Sequence, residues 1–308
     1  MRRSELPASP SAEANAWLAD PANRQPDALD LVALPAARAE GLALAEESER
    51  ALCAQHLVTA AWRDVAGIRC LEVTPETHRS DQAILYLFGG GFISGGALQD
   101  LQIIAPIAAK TGMRVIAPEY RLAPEHPWPA ALEDVQTVAA ELTQAGPCAI
   151  CGESAGGNLA LCVTQWIIAQ RLPAPSALAL MSPASDLTEA YDTGDIPDDP
   201  SLRPRAVMQV SQTYAGGQPL EDPRLSPLFG AFAPNWPATL ITTGTRDLFV
   251  GQCRRLHDTL RQTGAEAHLR VWPGLWHVFE YYPDIPEAAL SLSEIAAFLT
   301  TKDKTTHA

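Results

Sequence analysis

From about residue 54 to the C-terminus, short runs of β-branched and apolar residues alternate with longer stretches in which Leu, Ala, Val and Ile recur three and four positions apart. That alternation is the tightest constraint on the fold. Strands separated by helices return to the same sheet in parallel, which predicts an α/β architecture: a mostly parallel sheet with helices on both faces. The runs predict eight strands, near 55–63, 67–74, 83–88, 113–117, 147–153, 176–181, 238–243 and 267–272, the first two joined by a tight turn at Val65-Ala66-Gly67. Helical spacing is found near 99–110, 128–145, 154–169, 249–264 and 286–300.

Two stretches break the alternation. Residues 1–50 are rich in Ala, Leu and Glu, with helix-like segments at Ala12–Leu18 and Ala36–Ala54 interrupted by prolines, and are expected to form an N-terminal helical cap. Residues 51–308 would then be the core, carrying a Pro- and Asp-rich insertion at about 184–236 with a helix near 203–215. Ligands of open α/β sheets bind outside the carboxyl ends of the strands, where such insertions become a cover. The polar tail Thr300–Ala308 is expected to be mobile.

A chain of 308 residues with 47% hydrophobic side chains buries enough surface to fold without disulfides or a structural metal. Its net charge of −14 and scattered arginines lack the basic face that nucleic acids require. The N-terminus has two arginines but no apolar run behind them, and no stretch reaches the roughly 18 apolar residues of a membrane span. A cytoplasmic location without nucleic-acid or membrane partners is expected. The pair Cys148/Cys151 has redox or zinc spacing, but it lies in an apolar run that reads as a buried strand and has no second Cys/His pair. No metal is expected.

The strongest chemical signal is Gly152-Glu153-Ser154-Ala155-Gly156-Gly157, set between an apolar strand and a helical run. It matches a nucleophile elbow, where small residues at 152 and 156 let the two arms of a sharp turn approach and the serine projects from the sheet edge. The N–H groups that follow, at a helix N-terminus, can face a developing oxyanion. Serine needs a base, and the base needs a carboxylate, in the chain order Ser, Asp or Glu, His. Of the seven histidines only His257, His268 and His277 follow the serine outside the tail. His257 lies in a charged helix and His268 within a strand; His277 sits on the Gly/Pro loop after a strand and is the expected base. Asp247, past the strand 238–243, is the favoured acid, with Asp186 the competitor. The glycines Gly89-Gly90-Gly91 after the strand 83–88 can turn backbone donors inward, and they lack the spacing of a phosphate loop.

Together with Pro118-Glu119-Tyr120-Arg121-Leu122-Ala123-Pro124-Glu125-His126-Pro127-Trp128-Pro129-Ala130, these blocks resemble the hormone-sensitive-lipase-like branch of the α/β-hydrolases, which groups bacterial esterases, ε-lactone hydrolases and acetyl-ester hydrolases. The resemblance covers about residues 55–300. It implies an α/β-hydrolase fold with a helical cap, Ser154 as nucleophile, His277 as base and Asp247 as its orienter. It also implies oxyanion donors at the amides of Gly90, Gly91 and Ala155, and no cofactor. The branch usually has His-Gly-Gly-Gly, where this chain has Phe88 before the glycines. Phe88 is expected to pack as an apolar support that alters the pocket, bordered also by Phe92. The implied activity is hydrolysis of short-chain acyl esters or small lactones; the expected partner is that small-molecule substrate, with a homodimer left open. An amidase or formamidase is the alternative enzyme. A non-catalytic small-molecule receptor is the alternative class, against which the retained His277 counts. The cap aromatics Trp17, Tyr191, Tyr214 and Trp236, without a long apolar patch, favour small substrates. Six acidic residues and no basic one between Asp186 and Pro200 suggest a negative lid that favours neutral substrates.

Overall fold

The computed structural model describes residues 5–144, 146–188 and 198–303. Among them are eight strands: β1 (Val58–Val65), β2 (Ile68–Pro75), β3 (Ala83–Leu87), β4 (Arg114–Pro118), β5 (Ala149–Glu153), β6 (Leu178–Met181), β7 (Thr239–Gly244) and β8 (Ala267–Trp272). They form one sheet in the order β1-β2-β4-β3-β5-β6-β7-β8. β1 and β2 make an antiparallel hairpin and β2 meets β4 antiparallel; every other pairing is parallel. The helices are α1 (Ala12–Ala19), α2 (Leu34–His56), α3 (Leu101–Thr111), α4 (Ala130–Gln144), α5 (Ser154–Ala169), α6 (Pro204–Ala215), α7 (Val250–Gln262) and α8 (Pro286–Asp303).

Two boundaries differ from the sequence expectation. The first strand begins at Val58 because α2 continues through His56 and stops at Leu57, whose left-handed backbone (φ 54°) returns its N–H to the Ala54 carbonyl. The expected cap boundary at residue 50 therefore falls inside a helix. At the other end, Thr300–Asp303, expected to be mobile, complete α8, with the Thr300 hydroxyl bonded to the Ala296 carbonyl at 2.8 Å. Residues 304–308 lie outside the described residues.

β3, β5, β6 and β7 are buried almost end to end, as central parallel strands covered on both faces must be. The connection β3→β4 steps one way along the sheet, whereas β4→β5, β5→β6 and β7→β8 step the other way. With right-handed crossovers, that reversal sends α3 to one face and α4, α5 and α7 to the opposite one. α3 accordingly packs on α8, and α4 on α5. The reversal also opens a crevice above the carboxyl ends of β3 and β5, where ligands of such sheets bind.

At that crevice β5 passes into α5 with almost no separation. A Cβ on Gly156 would lie 1.9 Å from the Leu87 carbonyl oxygen, and one on Gly152 would lie 2.6 Å from the Gly156 oxygen. The obstructing atoms are backbone and cannot rotate away. Between the two glycines Ser154 is held at φ 51°, a left-handed conformation that costs an ordinary side chain roughly 1–2 kcal/mol.

The N-terminal residues divide into two roles. α1 does not cover the crevice; Trp17 stacks on Trp276 with ring centroids 3.9 Å apart, and Ser11 donates through both its N–H and its hydroxyl to the Glu287 carboxylate. It braces the outside of the loop that carries His277. α2 packs on α3, and its Arg38 reaches the glycine loop.

Two outcomes are expected. Gly156→Ala should lose at least about 3 kcal/mol of stability, the upper range for overpacking against fixed atoms, measured by urea denaturation. Trp17→Ala should lose about 2–3 kcal/mol and destabilise the His277 loop first, seen as faster amide exchange at residues 273–279.

Candidate active site

Ser154, His277 and Asp247 come from three loops at the carboxyl edge of the sheet, after β5, β8 and β7. The Ser154 hydroxyl lies 2.8 Å from His277 Nε2, and His277 Nδ1 lies 3.0 Å from Asp247 Oδ1. With the ring proton on Nδ1, the imidazole donates to Asp247 and leaves Nε2 free to accept the serine proton. Asp247 is fully buried, and its second oxygen accepts the Thr243 hydroxyl at 2.6 Å while Oδ1 also accepts the Phe249 N–H at 2.8 Å. The Phe249 ring meets the imidazole edge-on at 4.9 Å.

Burial alone would raise Asp247, but the His277 charge and hydrogen bonds from His277, Ser182 and Thr243 outweigh it and hold the carboxylate below its ordinary value. Burial works to lower His277. The negative charge and hydrogen bond of Asp247, with smaller contributions from Asp199 and Glu280, overcome it and raise the imidazole above its ordinary value.

The other carboxylate considered, Asp186, is buried elsewhere. It accepts from the Thr188 hydroxyl at 2.7 Å and pairs with Arg255 at 2.8 Å, which is a structural role. His257 pairs with Asp258 and His268 with Glu266, both away from the crevice. Cys148 and Cys151 are free and buried, and burial pushes the Cys148 thiol up to about 12.

The glycine loop is fixed by contacts on every side. Gly90 and Gly91 have φ of 96° and 63°, and the Gly90 carbonyl accepts from the Ile93 and Ser94 N–H groups and the Ser94 hydroxyl. Arg38 donates to the carbonyls of Ile93 and Ala123 at 2.7 and 2.6 Å and to the Glu125 carboxylate at 2.9 Å. A Cβ on Gly91 would approach Val210 Cγ1 of α6 to 2.6 Å, and Phe92 stacks on Tyr214 of α6 at 3.7 Å. The insertion helix therefore rests directly on the loop. Ala155, the residue after Ser154, is buried at the N-terminus of α5.

Above these groups is a cavity of about 510 Å³, within the range of small-molecule sites. Ser154, Ala155, Gly90, Gly91, Phe92 and His277 line it; Phe88 does not. The expectation that Phe88 borders the pocket is corrected here. The alternation of side chains at the end of β3 turns its ring inward, where it is fully buried and stacked on Tyr120 at 4.0 Å, while Tyr120 donates its hydroxyl to the Phe88 carbonyl at 2.6 Å.

Trp17, Tyr214 and Trp236 do not line the cavity either; each is used in packing, and Tyr191 lies outside the described residues. The walls are instead Leu187, Leu202, Val207, Val210, Phe249 and Tyr281. A helical apolar face at 207 and 210 was the signal available for two of them. The acids between 186 and 200 do not build a free negative lid from the described residues. Asp186 is paired with Arg255, Asp198 with Arg24 and Arg203, and Asp199 is buried; the remaining acids of the stretch lie outside the described residues.

No three His, Cys, Asp or Glu side chains among the described residues are grouped to hold a metal, and no described helix is long and apolar enough to cross a membrane.

Comparison with known proteins agrees with the architecture and the motifs. A family model described as alpha/beta hydrolase fold matches residues 84–281. An esterase of Acinetobacter venetianus is 32% identical over 252 residues, covering 78% of this chain and 81% of its own. An ethyl acetate hydrolase of Pseudomonas putida is 31% identical over 231 residues, covering 67% and 69%. Among solved structures, a hormone-sensitive lipase from a metagenome library superposes with a TM-score of 0.86 at 26% identity, covering 96% of this chain and 99% of that one. With its eight-stranded sheet, its strained serine turn and its triple-glycine loop, this chain belongs to the hormone-sensitive-lipase-like family of α/β-hydrolases.

Proposed function

We propose that the protein is a serine carboxylic-ester hydrolase that acts on short-chain acyl esters or small lactones through a covalent acyl-enzyme. The observation that carries this reading is the continuous hydrogen-bonded series Ser154–His277–Asp247, at 2.8 and 3.0 Å, opening into the cavity beside Gly90 and Gly91. The esterase and ethyl acetate hydrolase relatives support the ester class.

In the acylation step Ser154 Oγ attacks the carbonyl carbon as its proton passes to His277 Nε2. The imidazolium that forms is stabilised by Asp247, which stays ionised. The carbonyl oxygen becomes an oxyanion facing the amides of Gly90, Gly91 and Ala155, and a single lost donor of this kind typically costs about 2.7–4 kcal/mol of barrier. Collapse breaks the ester C–O bond, and His277 returns its proton to the leaving alkoxide. Water then attacks the acyl-serine, giving one proton to His277, which passes it back to Ser154 as the acid departs. With a lactone the alcohol and acid remain in one molecule.

The cavity walls support small, uncharged substrates. Leu187, Leu202, Val207, Val210 and Phe249 are apolar, and Val210 is seated against Gly91, so the space beside the oxyanion loop is closed by a branched side chain. Arg203 and Arg38, which also line the cavity, are already paired with acids.

Ser154→Ala should lower kcat on p-nitrophenyl acetate by about three to six orders of magnitude, because members of such a triad act as a unit. Near-native turnover by that variant, or fast palmitate hydrolysis with slow acetate hydrolysis, would overturn the assignment or its short-chain part respectively. Since His277 must be neutral to accept the serine proton and its pKa is raised, kcat/KM should rise with pH through a midpoint above 6.5, read from an initial-rate profile.

A further inference from the structure

A second buried carboxylate, Asp199, stands beside the triad and belongs to the insertion rather than to the core. It lies where the insertion returns toward α6, just before the cavity-lining residues Ser201, Leu202 and Arg203. Its Oδ2 accepts the Leu248 N–H at 2.9 Å, and its Oδ1 accepts both the N–H and the hydroxyl of Ser201 at 2.9 Å. The next N–H in the chain, that of Phe249, goes to Asp247 Oδ1 at 2.8 Å. Two consecutive amides of the acid loop are thus divided between two carboxylates, one from the core and one from the insertion.

We propose that Asp199 is a positioning residue for the triad: it ties the cavity wall around Ser201 to the acid loop at Leu248, and its negative charge supports the imidazolium of His277. The proposal rests on the hydrolase reading above. One carboxylate then registers both the loop that orients the base and the wall that meets the substrate, so that seating of the wall and geometry of the triad are linked.

The charges around it are consistent with this role. Asp199 is faced by Asp247 and His277 from the core loops and by Tyr282 from the segment after His277. His277 is faced in turn by Asp247, Asp199 and Glu280. Burial, together with Asp247, pushes Asp199 up to about 6, and the His277 charge and the backbone hydrogen bonds from Leu248 and Ser201 oppose that rise. Asp199 and His277 therefore act on each other's charge, the carboxylate raising the imidazole and the imidazole lowering the carboxyl. The neighbouring Asp198 is engaged outward, with Arg24 of the N-terminal segment and Arg203, which leaves the inward carboxylate of Asp199 as the link to the acid loop.

The test uses the full-length protein and p-nitrophenyl acetate, with kcat and kcat/KM measured from about pH 5 to about pH 9. Asp199→Asn removes the charge and sets an amide N–H₂ or a single oxygen against Leu248 and Ser201. It should lower kcat about tenfold or more and move the acid limb of kcat/KM to lower pH by about half a unit or more, because His277 loses a negative neighbour. Asp199→Glu keeps the charge and should restore the acid limb and part of kcat. Ser201→Ala removes only the cavity-side hydroxyl and should raise KM a few-fold while the acid limb stays in place.

An acid limb that does not move in Asp199→Asn overturns the proposal, whatever happens to kcat, since a merely structural contact would leave His277 titrating as before. Should the Asn variant not fold, wild-type kcat and KM in Ser201→Ala overturns it instead. Failure of the hydrolase reading is distinguishable: the wild type would then hydrolyse no ester, or Ser154→Ala would retain turnover.

Discussion

The close crossing of β5 and α5 underlies everything else at the carboxyl edge of the sheet. Because the Gly156 backbone touches the Leu87 carbonyl, no side chain can stand at that position, and the turn between strand and helix must be completed within Ser154 itself. The serine is driven to φ 51°, which lifts its hydroxyl above the sheet and places the first free amides of α5 behind it. The same contact locks the end of β3, and with it the glycine loop, against the nucleophile turn. The Ser154 turn and the glycine loop are therefore held by one steric constraint rather than by two independent ones.

Around that constraint the protein concentrates buried acids. Asp247, Asp199 and Glu280 all lie within electrostatic reach of His277, and Asp100 and Glu153 lie together beneath the glycine loop. Each would be costly to ionise without partners. Asp247 is compensated by the imidazole and by hydroxyl and amide donors, which keeps it charged. Glu280 receives hydroxyls from Thr242 and Ser291 on one oxygen, while its Oε2 has no partner among the described residues and burial pushes its pKa up. Asp100, bonded to the Tyr86 hydroxyl at 2.7 Å, is pushed up to about 7 by burial. The site thus contains carboxyl groups whose pKa values are pushed in opposite directions, Asp247 down by its charged and hydrogen-bonded partners and Glu280 and Asp100 up by burial.

Much of the architecture was legible because it is written in local periodicity. All eight strands and the principal helices fall within a few residues of their expected places, and the errors lie at helix ends, where α2 and α8 ran on past residues that carry no strong stop signal. Ser154, Asp247 and His277 were legible as candidates because the chemistry they would serve imposes an order and a strand-end position on the residues, and the structure brings those side chains within hydrogen-bond distance. The cavity walls were not. Trp17 and Tyr214 read only as aromatics of the capping segments, and their partners, the rings of Trp276 and Phe92, lie far away in the chain. Phe88 was misplaced for a related reason: its proximity to the glycines in sequence is real, but the strand alternation turns it into the core.

By itself the sequence determined the order of strands and helices, the sharp turn at Ser154 and the candidate groups for moving a proton, since periodicity, glycine placement and side-chain chemistry are local properties. Only the tertiary structure decided which helix covers the glycine loop, that α1 braces Trp276 instead of closing the cavity, and that Asp199 reaches Leu248. Those outcomes depend on contacts between residues far apart in the chain, where shape complementarity and burial select one partner among many that composition alone would permit.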